Sequence, residues 1–326
     1  MYVEVEVTSK CNLMCPGCAR TIVPKQFLGH HTTVETVKKI APLFPYVRLV
    51  SFVGPFGDPF LNPNFWDLHR VAKDAGARTC FFTNAMLMSE DHIQKVFTEK
   101  TDMVFISIDS IEPELYENIK RGTDYDIVMN AIRRLVSLKK ERRSMLPVIA
   151  INYVIQKKNV EELPRVMEFA AKEGIERVYF TGLLVHNKES VENSILKIDR
   201  SVLQGIFEQI RRQAKALRLE ARLPEIHLPT KYMTCCAPWQ VMVFYNNGDV
   251  SACTHFRFPK PCFFYVKDGK FCEGVVDCPS LLMGNVNEEN VLDIWNNRKY
   301  RELRKGLKNG CAELPCKACY YPYGWH

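Results

Sequence analysis

The chain has 326 residues, 47% hydrophobic and 25% charged, with a formal net charge of +7. That composition excludes a disordered or fibrous chain, and no apolar run is long enough to cross a bilayer. The opening MYVEVEV lacks the basic and apolar blocks of a signal peptide, so the reading is a cytoplasmic globular protein with no membrane contact.

Val3, Val5 and Val7 alternate with Glu4 and Glu6, which predicts a first strand. A loop with Cys11, Cys15 and Cys18 follows, and Thr32 or Thr33 caps a helix running to about Ala41. Residues 47–54 read as an apolar strand entering the turn GPFGDP. A helix from about Pro63 to Ala75, ended by Gly76, leads to a strand over 77–83. A helix after Ser89 leads to a strand over 103–109. Ile127, Val128, Ala131, Ile132, Leu135 and Leu138 mark one helical face, followed by a strand over 147–155. Val160, Leu163, Val166, Met167 and Ala170 mark the next helix, ended by Gly174, and a strand over 177–184 closes the series. Residues 199–217 read as a further helix and 224–229 as linker.

Six strands alternating with helices predict an α/β fold around a buried parallel sheet. In such sheets chemistry collects beyond the C-terminal strand ends. The cysteine loop, the GPFGDP turn, the Thr83-Asn84 stretch and the Ser107-Ile108-Asp109 stretch all lie there and are expected to converge on one cleft. The basic stretches Arg133 to Arg143 and Arg298 to Lys308 fall in helical patterns without aromatic interleaving, which predicts solvated faces and no nucleic-acid partner.

From Cys235 the character changes. Thirteen cysteines are present, nine of them between Cys235 and Cys319. Their odd number and close spacing favour metal ligation over disulfides. The segment reads as short strands around an Asn246-Asn247-Gly248-Asp249 hairpin turn, a cysteine-bearing loop, two short helices and a cysteine-rich tail. The expected division is a core over 1–220, a linker over 221–234 and a metal-organised unit over 235–326.

Cys11, Cys15 and Cys18 can hold three corners of a [4Fe–4S] cube and leave one iron open to a small molecule. The bland alternative is a structural zinc site completed by His30 or His31. Set after the first strand of a six-strand α/β series, the CxxxCxxC loop resembles the signature of the radical S-adenosylmethionine (radical SAM) superfamily. The resemblance runs over about residues 1 to 185. It implies a partial (β/α)6 TIM-like barrel in which the open iron chelates S-adenosylmethionine. One electron then cleaves that cofactor to a 5′-deoxyadenosyl radical, which abstracts hydrogen from substrate.

Further stretches resemble the family residue by residue. Gly57-Asp58-Pro59 resembles the motif that engages the methionyl amino group, with Asp58 in place of the usual glutamate. Thr83 and Asn84 resemble the stretch after strand three, and Ser107 and Asp109 the strand-four motif that contacts cofactor ribose or carboxylate. Asn152 resembles the fifth-strand contact, Val178 to Phe180 are expected along the adenine pocket, and Arg121 is expected to pair with the methionyl carboxylate. Gly17 departs from the family, which commonly has an aromatic residue before the third cysteine. Singly, Asp58 and Asn84 also suit ordinary turns.

Cys236, Gly248, Cys253 and the pair Cys316 and Cys319 resemble the cysteine pattern of SPASM and twitch extensions, and residues 283–304 resemble the segment between their cysteine groups. The resemblance assigns Cys236, Cys253, Cys316 and Cys319 to a closed auxiliary [4Fe–4S] cluster, against a four-cysteine zinc ribbon on spacing alone. Whether Cys235 or Cys236 ligates stays open; a spare Cys235 is a candidate hydrogen-atom donor. Cys262, Cys272, Cys278 and Cys311 are left for a possible second auxiliary site, and Cys80 for the core.

The resulting expectation is a radical SAM enzyme that oxidises or epimerises a small polar, sugar-like metabolite. The chain's start at the first barrel strand is read as favouring that metabolite. The alternative is a maturase acting on a peptide or protein, and the remaining reading is a non-catalytic zinc or redox scaffold. An external electron donor such as a flavodoxin or ferredoxin is expected.

Overall fold

The computed structural model describes residues 1–53, 55–225, 235–267, 270–310 and 313–319. Gly54 of the second-strand turn, most of the expected linker and Cys311 lie outside them.

The strands in chain order are β1 (Tyr2–Glu6), β2 (Leu49–Val53), β3 (Thr79–Thr83), β4 (Met103–Ser107), β5 (Val148–Ile155), β6 (Arg177–Gly182), β7 (Glu220–Arg222), β8 (Val241–Phe244), β9 (Asp249–Ser251), β10 (Lys260–Lys267), β11 (Lys270–Cys278) and β12 (Leu282–Asn285). The helices are α1 (Val34–Ile40), α2 (Phe65–Asp74), α3 (Glu90–Thr98), α4 (Pro113–Ile119), α5 (Tyr125–Glu141), α6 (Leu163–Glu173), α7 (Lys188–Glu192), α8 (Arg200–Leu217), α9 (Ala237–Gln240), α10 (Val291–Asn296) and α11 (Arg298–Lys308). Thr33 takes the α1 cap, its hydroxyl accepting the Thr36 amide at 3.2 Å, and Gly174 closes α6 in the left-handed conformation at φ 76°.

Two compact units divide the chain. One comprises Met1–Lys10, Val23–Thr79 and His227–Gly324; the other comprises Cys11–Ile22, Cys80–Ile226 and Trp325–His326.

In the first unit β1 lies between two parallel neighbours, with Val3 opposite Val50 of β2 and Met242 of β8. The cysteine-rich segment from 235 thus adds a strand to the sheet of the chain's first residues. β9 pairs antiparallel with β8 around the Asn246–Asp249 turn, and β12 follows on β9. Gly248 sits at φ 89°, a conformation that favours glycine, and a Cβ there would press on the side-chain amides of Asn287 and Asn285. The β10–β11 hairpin occupies residues read from sequence as a loop. Lys260, Gly274 and the cysteines interrupt its apolar pattern, which hides the strand signal.

The valines of β1 are fully buried, and so is Glu6. Glu6 Oε2 accepts from Arg257 Nη1 at 3.1 Å and from the Asn246 amide N–H at 3.0 Å; the Thr254 hydroxyl donates to Glu4 at 2.7 Å. The acidic face of β1 is therefore covered by side chains of the C-terminal segment rather than by water.

In the second unit β3 to β7 run parallel in sequence order. One sheet face carries Phe81, Val104, Ile106, Ile149, Ile151 and Val178, each at most 1% exposed. On the other, Phe82 stacks on Phe105 at 4.3 Å and Tyr179 meets Phe105 edge-on at 5.0 Å. Ser107 and Asn152 share that second face, because Ser107 lies opposite Asn152 and Asn152 opposite Tyr179.

Candidate functional site

The cysteine loop is held by its own backbone. The Cys18 amide donates to the Cys15 carbonyl at 3.1 Å, and the Thr21 amide to the Cys18 carbonyl at 3.0 Å. Two more amides aim at sulfur: Leu13 N–H at Cys11 Sγ and Arg20 N–H at Cys18 Sγ, both 3.4 Å. Such donors suit thiolates better than thiols, and hydrogen bonds to sulfur are part of how clusters are held and tuned. All three thiols are half-buried. Among the described residues no three His, Cys, Asp or Glu side chains gather tightly enough for one metal ion. A cluster asks for something else, one thiolate per iron.

The loop is tied to the strand ends. Asn84, just past β3, donates to Asn12 Oδ1 at 3.0 Å, with its Nδ2 4.0 Å from Cys11 Sγ. Its own Oδ1 accepts the Met86 amide, and the Thr83 hydroxyl accepts the Ala85 amide, each at 3.0 Å. The Met14 amide donates to the Arg121 carbonyl at 2.9 Å. Gly17, where the family pattern has an aromatic residue, lies against Leu183; a Cβ there would stand 3.1 Å from Leu183 Cδ1.

Asp109 is nearly buried and fully engaged. Its Oδ1 accepts the Val154 amide at 2.9 Å, and its Oδ2 faces Lys120 Nζ at 3.0 Å. Burial alone would lower the Lys120 pKa; Asp109, then Cys15 and Tyr116, outweigh it and raise the net value. Burial pushes the Cys15 thiol up to about 11, opposed chiefly by Lys120, and it raises Cys18 as well. Lys120 is thus the cation turned toward the cysteine loop, and the sequence reading missed it. Arg121, expected in a cation's role, has an exposed side chain. The signal was spacing: Tyr116, Ile119 and Lys120 form one buried helical face.

Ser107, Asn152 and Tyr179 stand together on one sheet face, whereas Val178 and Phe180 project from the other. Gly57 and Asp58 belong to the first unit. The Asp58 amide donates to the Lys10 carbonyl at 2.9 Å, and its Oδ1 accepts the Phe60 amide at 3.2 Å. Asp58 thereby caps the short 3-10 turn Pro59–Leu61. A Cβ on Gly57 would stand 2.3 Å from the Thr8 carbonyl oxygen and 2.5 Å from that of Lys10.

The first unit also gathers the C-terminal thiols. Cys253 lies within electrostatic reach of Cys235 and Cys316, with burial pushing its thiol up to about 12. The His255 amide aims at Cys253 Sγ at 3.4 Å, and the Ser251 hydroxyl donates to the Cys253 carbonyl at 2.8 Å. Cys262 and Cys278, buried on the β10–β11 hairpin, share a hydrogen bond, and Cys319 lies near Cys262. Cys235 is half-buried and Cys236 exposed. The Arg304 guanidinium lies 3.9 Å from the Trp295 ring and 4.6 Å from that of Tyr300; its Nε donates to the Pro238 carbonyl at 2.8 Å. It thus clamps the turn that carries Cys235 and Cys236. Cys80 lies buried in β3.

The radical SAM superfamily profile matches residues 5–170, and an iron–sulfur cluster-binding domain, SPASM, matches residues 235–320. A tungsten-containing aldehyde ferredoxin oxidoreductase cofactor-modifying protein from Pyrococcus furiosus is 24% identical, over 94% of this chain and 84% of its own. The PqqA peptide cyclase of Bradyrhizobium diazoefficiens is 22% identical, over 98% of this chain and 79% of its own. Streptococcus suis SuiB bound to S-adenosylmethionine superposes with a TM-score of 0.68 at 16% identity over 93% of this chain, which spans 65% of that one. Native anSMEcpe with bound AdoMet gives a TM-score of 0.63 at 15% identity, over 92% of this chain and 82% of its own. The fold is accordingly α/β, a partial (β/α)6 TIM-like barrel with a C-terminal SPASM domain. Among the described residues no helix is long and apolar enough to cross a membrane.

Proposed function

The chain belongs to the radical SAM superfamily and carries a C-terminal SPASM domain, and from that premise we propose that it modifies a peptide or protein by hydrogen-atom abstraction. Its cofactors are a [4Fe–4S] cluster, S-adenosylmethionine and auxiliary iron–sulfur. The observation that carries the substrate reading is the match to PqqA peptide cyclase over 98% of this chain. SuiB, of the same fold, has also been solved bound to its precursor peptide SuiA. These relatives support the peptide alternative over the sugar-like metabolite expected first from the sequence.

Cys11, Cys15 and Cys18 would hold the first cluster, and with S-adenosylmethionine bound that site would supply the hydrogen-atom abstraction from a peptide. The amides of Leu13 and Arg20 stabilise the ligating sulfurs, and Asn84 fixes the loop against β3. Lys120 balances the negative charge of the thiolates, and Asp109 positions it. Ser107, Asn152 and Tyr179 offer polar contacts from one sheet face, and Val178 projects from the other. Cys235, Cys253, Cys316 and Cys319 close the auxiliary cluster. We assign the fourth ligand to Cys235, which lies within electrostatic reach of Cys253 and Cys316; on that reading it is a ligand and not a free hydrogen donor. Reduction comes from a flavodoxin- or ferredoxin-type donor.

Anaerobically reconstituted enzyme, supplied with S-adenosylmethionine, reductant and host extract split by molecular size, tests the substrate class. The peptide fraction should stimulate 5′-deoxyadenosine formation, and protease pretreatment should abolish that stimulation. Stimulation confined to the protease-resistant small-molecule fraction would return the assignment to a metabolite.

A further inference from the structure

Lys260 opens β10 opposite Cys278 of β11 and is 8% exposed. Cys262 lies two residues on and therefore on the same strand face. β10 packs against the 3-10 turn Cys316–Ala318, and burial lowers the Lys260 pKa against the opposing pull of Cys262, then Cys253, Cys319 and Cys278. Its ammonium stands 5.1 Å from the Phe256 ring centre, a weak cation–π contact.

A buried ammonium is costly unless negative charge faces it. Neutral thiols do not supply that charge, whereas cysteines ligating iron do. Lys260 is thus a cation better balanced when the neighbouring cysteines are thiolates than when they are thiols. Iron–sulfur potentials respond to net charge, hydrogen bonding and exposure around the cluster. A fixed positive charge favours the more negative, reduced form, and the low dielectric of a buried site magnifies the effect.

We propose that Lys260 is a positioning residue for electrons, raising the reduction potential of the auxiliary cluster held by Cys253 and Cys319. This rests on the auxiliary-cluster reading above. The β10–β11 hairpin then has a purpose beyond spacing, because it delivers one buried cation to a thiolate site. An auxiliary site so tuned suits withdrawal of an electron from a substrate radical.

The test uses the full reconstituted chain. Electron paramagnetic resonance during a redox titration follows the cluster signal that S-adenosylmethionine leaves unchanged. Lys260→Met, which keeps the apolar stem and removes the charge, should lower that midpoint with iron content retained. A tenfold change in the reduced-to-oxidised ratio at fixed poise, about 59 mV for one electron, is the expected scale. Lys260→Arg should restore the wild-type value, which a merely structural role would not require. An unchanged midpoint in Lys260→Met with full iron content overturns the proposal while leaving the auxiliary cluster in place. A wild-type protein with no S-adenosylmethionine-insensitive signal overturns the cluster reading beneath it.

Discussion

Lys120 Nζ stands 3.0 Å from Asp109 Oδ2, with the two side chains only 10% and 7% exposed. The pair joins the end of α4 to the loop after β4 and sets a cation beside Cys15. Removing one partner of such a pair strands the other, at about 3–5 kcal/mol. Lys120→Met and Asp109→Asn should each destabilise on that scale, and the double variant by less than their sum, as denaturant unfolding would measure. Arg121→Met should be near neutral by the same measurement, since its side chain is exposed.

Cys235→Ala and Cys236→Ala separate the two adjacent thiols. Cys235→Ala should lose about one cluster's worth of iron after reconstitution, roughly four atoms. Cys236→Ala and Cys80→Ala should keep wild-type iron. Equal losses from Cys235→Ala and Cys236→Ala would defeat the assignment.

Gly57→Ala places a methyl against two backbone carbonyls that cannot swing aside. Overpacking of this kind costs about 1–3 kcal/mol. Thermal unfolding should show that loss.

Arg304→Lys removes a planar group that lies against both the Trp295 and Tyr300 rings and breaks its fork to the Pro238 and Trp295 carbonyls. A loss of about 2 kcal/mol is expected. Iron at the auxiliary site should fall before that bound by the first cysteine loop, because the clamp holds the Cys235-Cys236 turn.

Glu6 carries a pH dependence. Burial raises its pKa from 4.5 to about 6, against the opposing pull of Arg257 and the Asn246 amide. A folded value above the unfolded one means that its contribution is full below pH 4.5 and is lost as pH rises through about 6. The loss is about 2 kcal/mol. The stability difference between wild type and Glu6→Gln, read from thermal unfolding of the metal-free chain, should shift against wild type by that amount across the window.

Local pattern and spacing determined a good deal from the sequence alone. The alternation of strands and helices, the Thr33 and Gly174 helix ends and the Asn246–Asp249 turn are short-range features, legible because their causes lie within a few residues. The CxxxCxxC loop was legible through its place after the first strand and the family it resembles, since spacing alone left a zinc site open. Only the tertiary structure decided which of Lys120 and Arg121 turns inward, because adjacent cations differ only in which helical face is buried. It also decided that Glu6 is sealed beneath Arg257, 251 residues away. The same holds for Cys235 and Cys236, and for Lys260 among its thiols. Charge on a side chain is written in the sequence, but its surroundings are made by distant strands, and those surroundings set what the charge can do.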